Sequence, residues 1–108
     1  QNDSLNSLNI ILDDKNDIYI DDKKLTKDEL KIIISNYIFD NQSESIVYLN
    51  VDKEVIYTTY VDIRNTIINE IDILREKLAV EKYITEFKKL IEEQASEIKK
   101  NYPENIVD

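Results

Sequence analysis

The residue types that most often carry covalent chemistry are missing from this chain. Histidine and cysteine are both absent, which removes the commonest general base, the thiolate nucleophile and the usual ligands of zinc. A serine or threonine hydroxyl therefore has no customary partner to activate it. Glycine is absent as well, so loops that bring backbone close to a phosphate or a dinucleotide cannot be built by the usual route. Carboxylates remain, at 23 Asp and Glu among 108 residues. Two of them facing each other across a cleft, with separated pKa values, could hydrolyse a glycosidic bond. Here they fall in turns and on the polar sides of helices, where a solvated surface role accounts for them. Asp13-Asp14-Lys15-Asn16-Asp17 has the composition of a calcium loop, yet it lacks the glycine and the closing bidentate glutamate. The residues read as a non-enzyme with no catalytic, metal or cofactor site.

Binding chemistry is better represented. The aromatic residues are seven tyrosines and two phenylalanines. Tyr37 and Tyr60 lie on apolar helical stripes and are expected in the core. Tyr48 lies on the second face of a strand, and Tyr57 at the junction of that strand with a helix. Aromatic side chains on an open sheet face are suited to holding a partner. The formal charge of −9 disfavours nucleic acid and anionic lipid, and it permits a basic partner. Arg64 and Arg75 are expected to pair with nearby acids such as Asp62, Asp72 or Glu76 on the helix surface.

The elements that would position these groups can be read in order. Leu8 to Leu12 and Ile18 to Ile20 are short apolar runs separated by an Asn/Asp-rich turn, the pattern of a β-hairpin. Asp21 to Lys24 reads as a second turn. Without glycine, positive φ must be taken by Asn or Asp. Thr26 as N-cap with Glu29 at N3 makes a capping box, and Leu25 and Leu30 stand where a hydrophobic staple would join them. Leu30, Ile33, Ile34, Tyr37 and Ile38 form a helical stripe, followed by a polar loop over residues 40–45. Ile46 to Val51 is the central strand, with Val47, Leu49 and Val51 on one face and Ile46, Tyr48 and Asn50 on the other. Strand, helix, strand implies a crossover with the flanking strands parallel.

From Tyr57 to Tyr83 runs one long helical pattern, with Tyr60, Ile63, Ile67, Ile71, Leu74 and Leu78 as its stripe. Phe87, Leu90, Ile91, Gln94, Ile98 and Tyr102 form a weaker one, stopped at Tyr102-Pro103. A helical hairpin turning near Tyr83 to Glu86 is the simplest arrangement, and a dimer through the exposed stripe is the alternative. The expected fold is α+β: a small mixed sheet, made of the opening hairpin and the central strand, with helices on one face. The long second helix and a C-terminal helix follow as a helical hairpin. Residues 1–7 read as a flexible lead-in, 8–83 as the domain with its long second helix, and 84–108 as a C-terminal helical extension and tail. No window approaches the roughly 18 apolar residues of a membrane span. The chain begins at Gln1 rather than Met, so it reads as a fragment that an anchor or export signal could precede.

The stretch from Leu8 to Asp72 resembles the periplasmic domain of the ExbD/TolR biopolymer-transport family. Four pieces carry the likeness in order: Asn9-Ile10-Ile11-Leu12 through Ile18-Tyr19-Ile20; Asp22-Lys23-Lys24-Leu25-Thr26 to Leu30; Ile46-Val47-Tyr48-Leu49-Asn50-Val51-Asp52-Lys53; and Val55-Ile56-Tyr57 with Tyr60-Val61. Short members of the family turn after the position of Ile71 and finish with a strand along the sheet. Here the helix runs on through Leu74-Arg75-Glu76-Lys77-Leu78. The segment Tyr57-Thr58-Thr59-Tyr60 to Leu74-Arg75-Glu76, then Lys82-Tyr83 and Tyr102-Pro103-Glu104-Asn105-Ile106, is similar to longer ExbD-like proteins of Bacteroidota.

The resemblance implies a periplasmic domain of a single-pass inner-membrane protein. Its transmembrane helix, outside this chain, would carry a protonatable acid and work with an ExbB-like membrane protein. The domain would pass proton-motive force to a TonB-like protein that energises outer-membrane transport, and it would act as a homodimer. A TolR-like module anchored to peptidoglycan is the second reading, and an acidic protein-interaction adaptor the third. Without the family's last strand, the central strand or the hairpin would offer an open edge for β-augmentation. Ile46, Tyr48, Asn50, Asp52 and Tyr57 are the partner-binding candidates on that edge, and the C-terminal helices are the alternative cover for it.

Overall fold

A computed structural model describes residues 7–108. The lead-in expected over residues 1–7 lies outside the described residues apart from Ser7. Two layers make the fold, a five-stranded mixed sheet and helices on one of its faces. Strand β1 (Leu8–Leu12) alternates buried and exposed residues along its length, as a strand covered on one side must. It pairs antiparallel with β2 (Ile18–Ile20), which pairs antiparallel with β3 (Lys23–Leu25).

Between β1 and β2, Asp13 Oδ1 accepts from the backbone N–H of Lys15 and Asp17. Its carboxylate shapes the turn, with Asn16 at φ 64°. Between β2 and β3 the turn is only Asp21-Asp22, at φ 51° and 65°, the positive values that a two-residue type I′ hairpin requires. The second turn is thus shorter than the sequence suggests, and Lys23 and Lys24 belong to an edge strand. Edge lysines discourage pairing with other chains.

Helix α1 (Lys27–Asn41) starts at the expected capping box. Thr26 Oγ1 accepts from Glu29 N–H at 3.1 Å, and Glu29 Oε1 accepts from Thr26 N–H at 2.9 Å. Leu30, Ile34 and Ile38 are buried and Ile33 and Tyr37 partly so, so the apolar stripe faces the sheet. Burying each such aliphatic side chain contributes roughly 1.5–3 kcal/mol. A short 3₁₀ turn over Gln42–Glu44 leads into β4 (Val47–Val51), which lies parallel to β1 from Leu8↔Val47 to Leu12↔Val51.

Helix α2 (Tyr57–Tyr83) spans 27 residues, about 40 Å at 1.5 Å per residue. The longest dimension of the molecule is 43 Å. Ile63, Ile67, Ile71 and Leu74 pack into the sheet core with α1. Its far end, beyond the sheet, buries Ala79, and Ile98 is equally buried on α3 (Glu92–Asn101), which folds back against α2. The turn between them is made by Ile84, in the left-handed conformation at φ 57° and ψ 37°. Among the described residues, Asn and Asp take three of the five positive-φ positions, but Gln42 and Ile84 take the others. The second stripe is shorter than its periodicity suggests: a 3₁₀ turn occupies Phe87–Lys89, helix begins only at Glu92, and Ile91 is exposed.

The residues read as a tail do not end at the helix. Tyr102 is buried in the sheet core, and β5 (Ile106–Val107) lies parallel to β4, pairing Ile106 with Val47 and Val107 with Tyr48. The sheet order is therefore β3-β2-β1-β4-β5. Two residues are too few for a period-2 signal, so this strand exists only through the partner beside it.

Candidate functional site

The five candidate residues fall around β4 and the start of α2, and they divide into three settings. Ile46, half-buried, is held at the head of the strand by Tyr37. The Tyr37 hydroxyl accepts from Ile46 N–H at 3.0 Å and donates to Ile46 carbonyl at 3.1 Å. That carbonyl also accepts from Leu8 N–H. Tyr37 is thus more than a core residue: it pins the strand to α1, a role that a stripe position does not reveal.

Tyr48 and Asn50 face away from the helices. Register places Tyr48 between Asn9 of β1 and Val107 of β5, and Asn50 beside Ile11. Ile11 is 43% exposed and Val107 40%, so this sheet face offers apolar surface between polar neighbours. Tyr19 on β2 and Lys24 on β3 continue the row from Ile11. Ile46, at the strand's head, Tyr48 and Asn50 are therefore brought into one line on a face that no helix covers among the described residues.

Asp52 and Tyr57 stand apart from that line. Asp52 N–H donates to Leu12 carbonyl, and its Oδ1 accepts from Glu54 N–H at 2.9 Å. Its carboxylate thereby shapes the turn into α2. Asn16 Oδ1 accepts from Ile56 N–H and ties this turn to the β1–β2 loop. Tyr57 is 75% exposed at the first position of α2, its ring 6.2 Å from that of Tyr60.

The edge of β4 beside these residues is partly taken. Val47 N–H donates to Asn105 carbonyl at 3.0 Å, and β5 pairs with Val47 and Tyr48. Asp108 fixes the end of this segment: Tyr60 Oη donates to its Oδ2 at 2.8 Å, and Arg64 Nη1 lies 3.2 Å from the same oxygen. Donating to the Asp108 carboxylate holds the Tyr60 phenol above its ordinary range, since the bond favours the protonated form. Pairing through Asp108 replaces the surface pair expected for Arg64. Arg75 differs too, because it is buried, with Nε donating to Tyr102 carbonyl at 2.8 Å and Nη1 3.7 Å from Glu104. Both arginines thus hold the C-terminal segment, a pairing across more than 25 residues that no local pattern announces.

Grooves elsewhere are lined by other residues. One, about 560 Å³, lies between α1 and α2 and is lined by Lys27, Lys31, Asp62, Asn65, Glu70 and Glu76 among others. Lys27 Nζ and Asp62 Oδ1 are 2.7 Å apart there, so its charges are partly spent on each other. The open sheet face and the β4 edge are the arrangement best suited to a partner, through main-chain pairing and shallow apolar contact. The sequence matches no known protein family, and it matches no curated protein either.

Proposed function

We propose that this chain is the periplasmic coupling domain of an ExbD-like subunit in a proton-motive-force-driven inner-membrane motor, and that it engages a TonB-like protein through the β4 side of its sheet. The single observation that carries the reading is the element order. A hairpin, a capped helix, a strand parallel to the first and a long helix follow the plan that the sequence resemblance implies, and β5 after α3 supplies a last strand that the resemblance led us to expect missing here. The long α2 and the added α3 fit the longer ExbD-like proteins. A non-catalytic role agrees with the side chains, which take part in turns, caps and edge contacts.

Sequencing the gene upstream of Gln1 tests this reading. One apolar helix of about 20 residues bearing a single acid is expected. A cleavable signal peptide, or no apolar segment, would remove the motor connection. Amide-shift mapping with a TonB-like periplasmic segment should then move Ile46 to Tyr57, and unchanged resonances there would exclude the proposed surface. A peptidoglycan-anchoring module is the second reading, favoured by the exposed Tyr48–Asn50 face, and sedimentation with purified sacculi separates the two.

A further inference from the structure

We propose that the groove between α1 and α2, on their side away from the sheet, docks a basic amphipathic helix of another protein. An indole ring of that helix seats in the cavity over Tyr102. This surface is separate from β4, and it stands without the coupling role.

The cavity holds about 230 Å³ and is lined by Phe39, Leu74, Leu78 and Tyr102, with the exposed Lys77 and Glu81 at its rim. Tyr102 is 4% exposed, and its hydroxyl makes no hydrogen bond among the described residues. No fully buried side-chain oxygen there lacks a partner, so the hydroxyl lies on the small part of the residue that stays open. Glu81 of the cavity is the charge that acts on this phenol, which places the hydroxyl at the cavity. Burial and the Glu81 carboxylate hold the phenol above its ordinary range, so it stays protonated and can donate or accept. A polar group in so dry a place is costly without a partner. An indole N–H supplies one, donating to the Tyr102 oxygen or to Glu81, while the ring lies against Phe39 and Leu78. The volume suits one ring system, since sites for larger free ligands hold roughly 300–1,000 Å³.

The cavity is one end of a longer groove. It shares Ser35 and Asn36 with a second hollow, and Lys31 and Glu70 join that one to the hollow beside Lys27 and Asp62. From Lys27 to Phe39 the groove follows α1 for about 18 Å, three turns of a helix. Ile32, Phe39 and Ile73 are exposed along it. A helix laid between two packed helices meets such contacts with residues three, four and seven apart. Charge then decides the occupant. Six carboxylates line the three hollows against three lysines, and Lys27 is already paired with Asp62. Glu70, Asp72 and Glu81 have no ion pair among the described residues. A second copy would bring its own charge of −9 against these acids, whereas a basic helix complements them.

The test follows amide shifts of the isotope-labelled full chain. N-acetyl-tryptophanamide, the ring alone, should move Asn36, Phe39 and Leu78. Tyr102→Phe should weaken it about 2- to 10-fold. Phe39→Ala should do the same, and it truncates an exposed side chain, so the fold is kept. The second probe is an Ala-based helix of about 12 residues, with Trp at one end, Leu four and seven residues on, and Lys beyond. Its reversed sequence covers the opposite direction. One of the two should bind at least about 10-fold more tightly than the ring alone. It should also move Lys31, Ile32 and Glu70, and it should lose the gain in about 0.5 M salt. No shift at Asn36, Phe39 and Leu78, or unchanged affinity in Tyr102→Phe, would overturn the ring site. Helices no tighter than the ring would leave the cavity to a free small molecule and overturn the docking groove. A concentration-dependent dimer that Phe39→Ala abolishes would place a second copy there and overturn the separate partner.

Discussion

Arg75 has 8% of its surface exposed, and its Nε donates to a carbonyl that closes the fold from the other end of the chain. Arg75→Ala would leave Tyr102 carbonyl without that donor and open space beside Tyr102, so a loss of about 2–4 kcal/mol is expected in urea unfolding. Its ionic partner is another matter. Glu104 is 45% exposed and 3.7 Å away, so Glu104→Ala should cost less than about 1 kcal/mol. Equal losses would show that the charge pair, rather than the buried hydrogen bond, holds the segment. Glu29 supplies a pH-dependent contribution at the same scale. Accepting from Thr26 N–H holds its carboxyl below the usual 4.5. The folded-state value is the lower one, so this contribution is complete above the unfolded-state value and fades as pH falls through the folded one. Glu29→Gln should flatten the part of the stability–pH curve that falls as pH drops below the usual 4.5, while keeping an acceptor at the cap.

Helices and strands differ in how much of them a sequence announces. Helix α1 was legible because its cap, staple and stripe all lie within the residues Leu25 to Ile38. The stripe of α2 was legible for the same reason. Strands β3 and β5 were not, because three and two residues acquire their state from a neighbour in space. The candidate site shared this limit. Tyr48 and Asn50 could be placed on an outward face by alternation, but β5 beside them could not be foreseen. The turn between α2 and α3 was expected near Tyr83 to Glu86, and Ile84 occupies it at a backbone conformation that disfavours β-branched side chains. Ile84 is 87% exposed, so Ile84→Gly would lose little burial and relieve about 1–2 kcal/mol of backbone cost. Thermal unfolding should rise by several degrees, and an unchanged or lower midpoint would mean that the side chain has a contact in solution.

At the scale of the whole molecule, the sheet is held with unequal strength from strand to strand. Strands β1 and β4 share five paired positions and a buried face, whereas β5 pairs at two positions only. Hydrogen exchange should reflect this. Amides of β1 and β4 that pair with each other should exchange only with global unfolding, while Ile106 and Val107 exchange through local release. Release should be faster in D108N, and protection of β5 equal to that of β1 would contradict this ranking of the strands.

The parallel pairing of β4 with β5 also has a consequence in time. Strand β4 is complete at Val51, but the residues that flank its edge come roughly 55 residues later in the chain. At a translation speed of 5–20 residues per second, about 3–11 s pass between the two. During that interval a growing chain that has already formed β1, α1 and β4, wherever it folds, presents a bare edge. A binding partner made nearby would meet the edge before its resident strand exists. Assembly during synthesis and assembly afterwards would then differ in rate although the finished protein is the same.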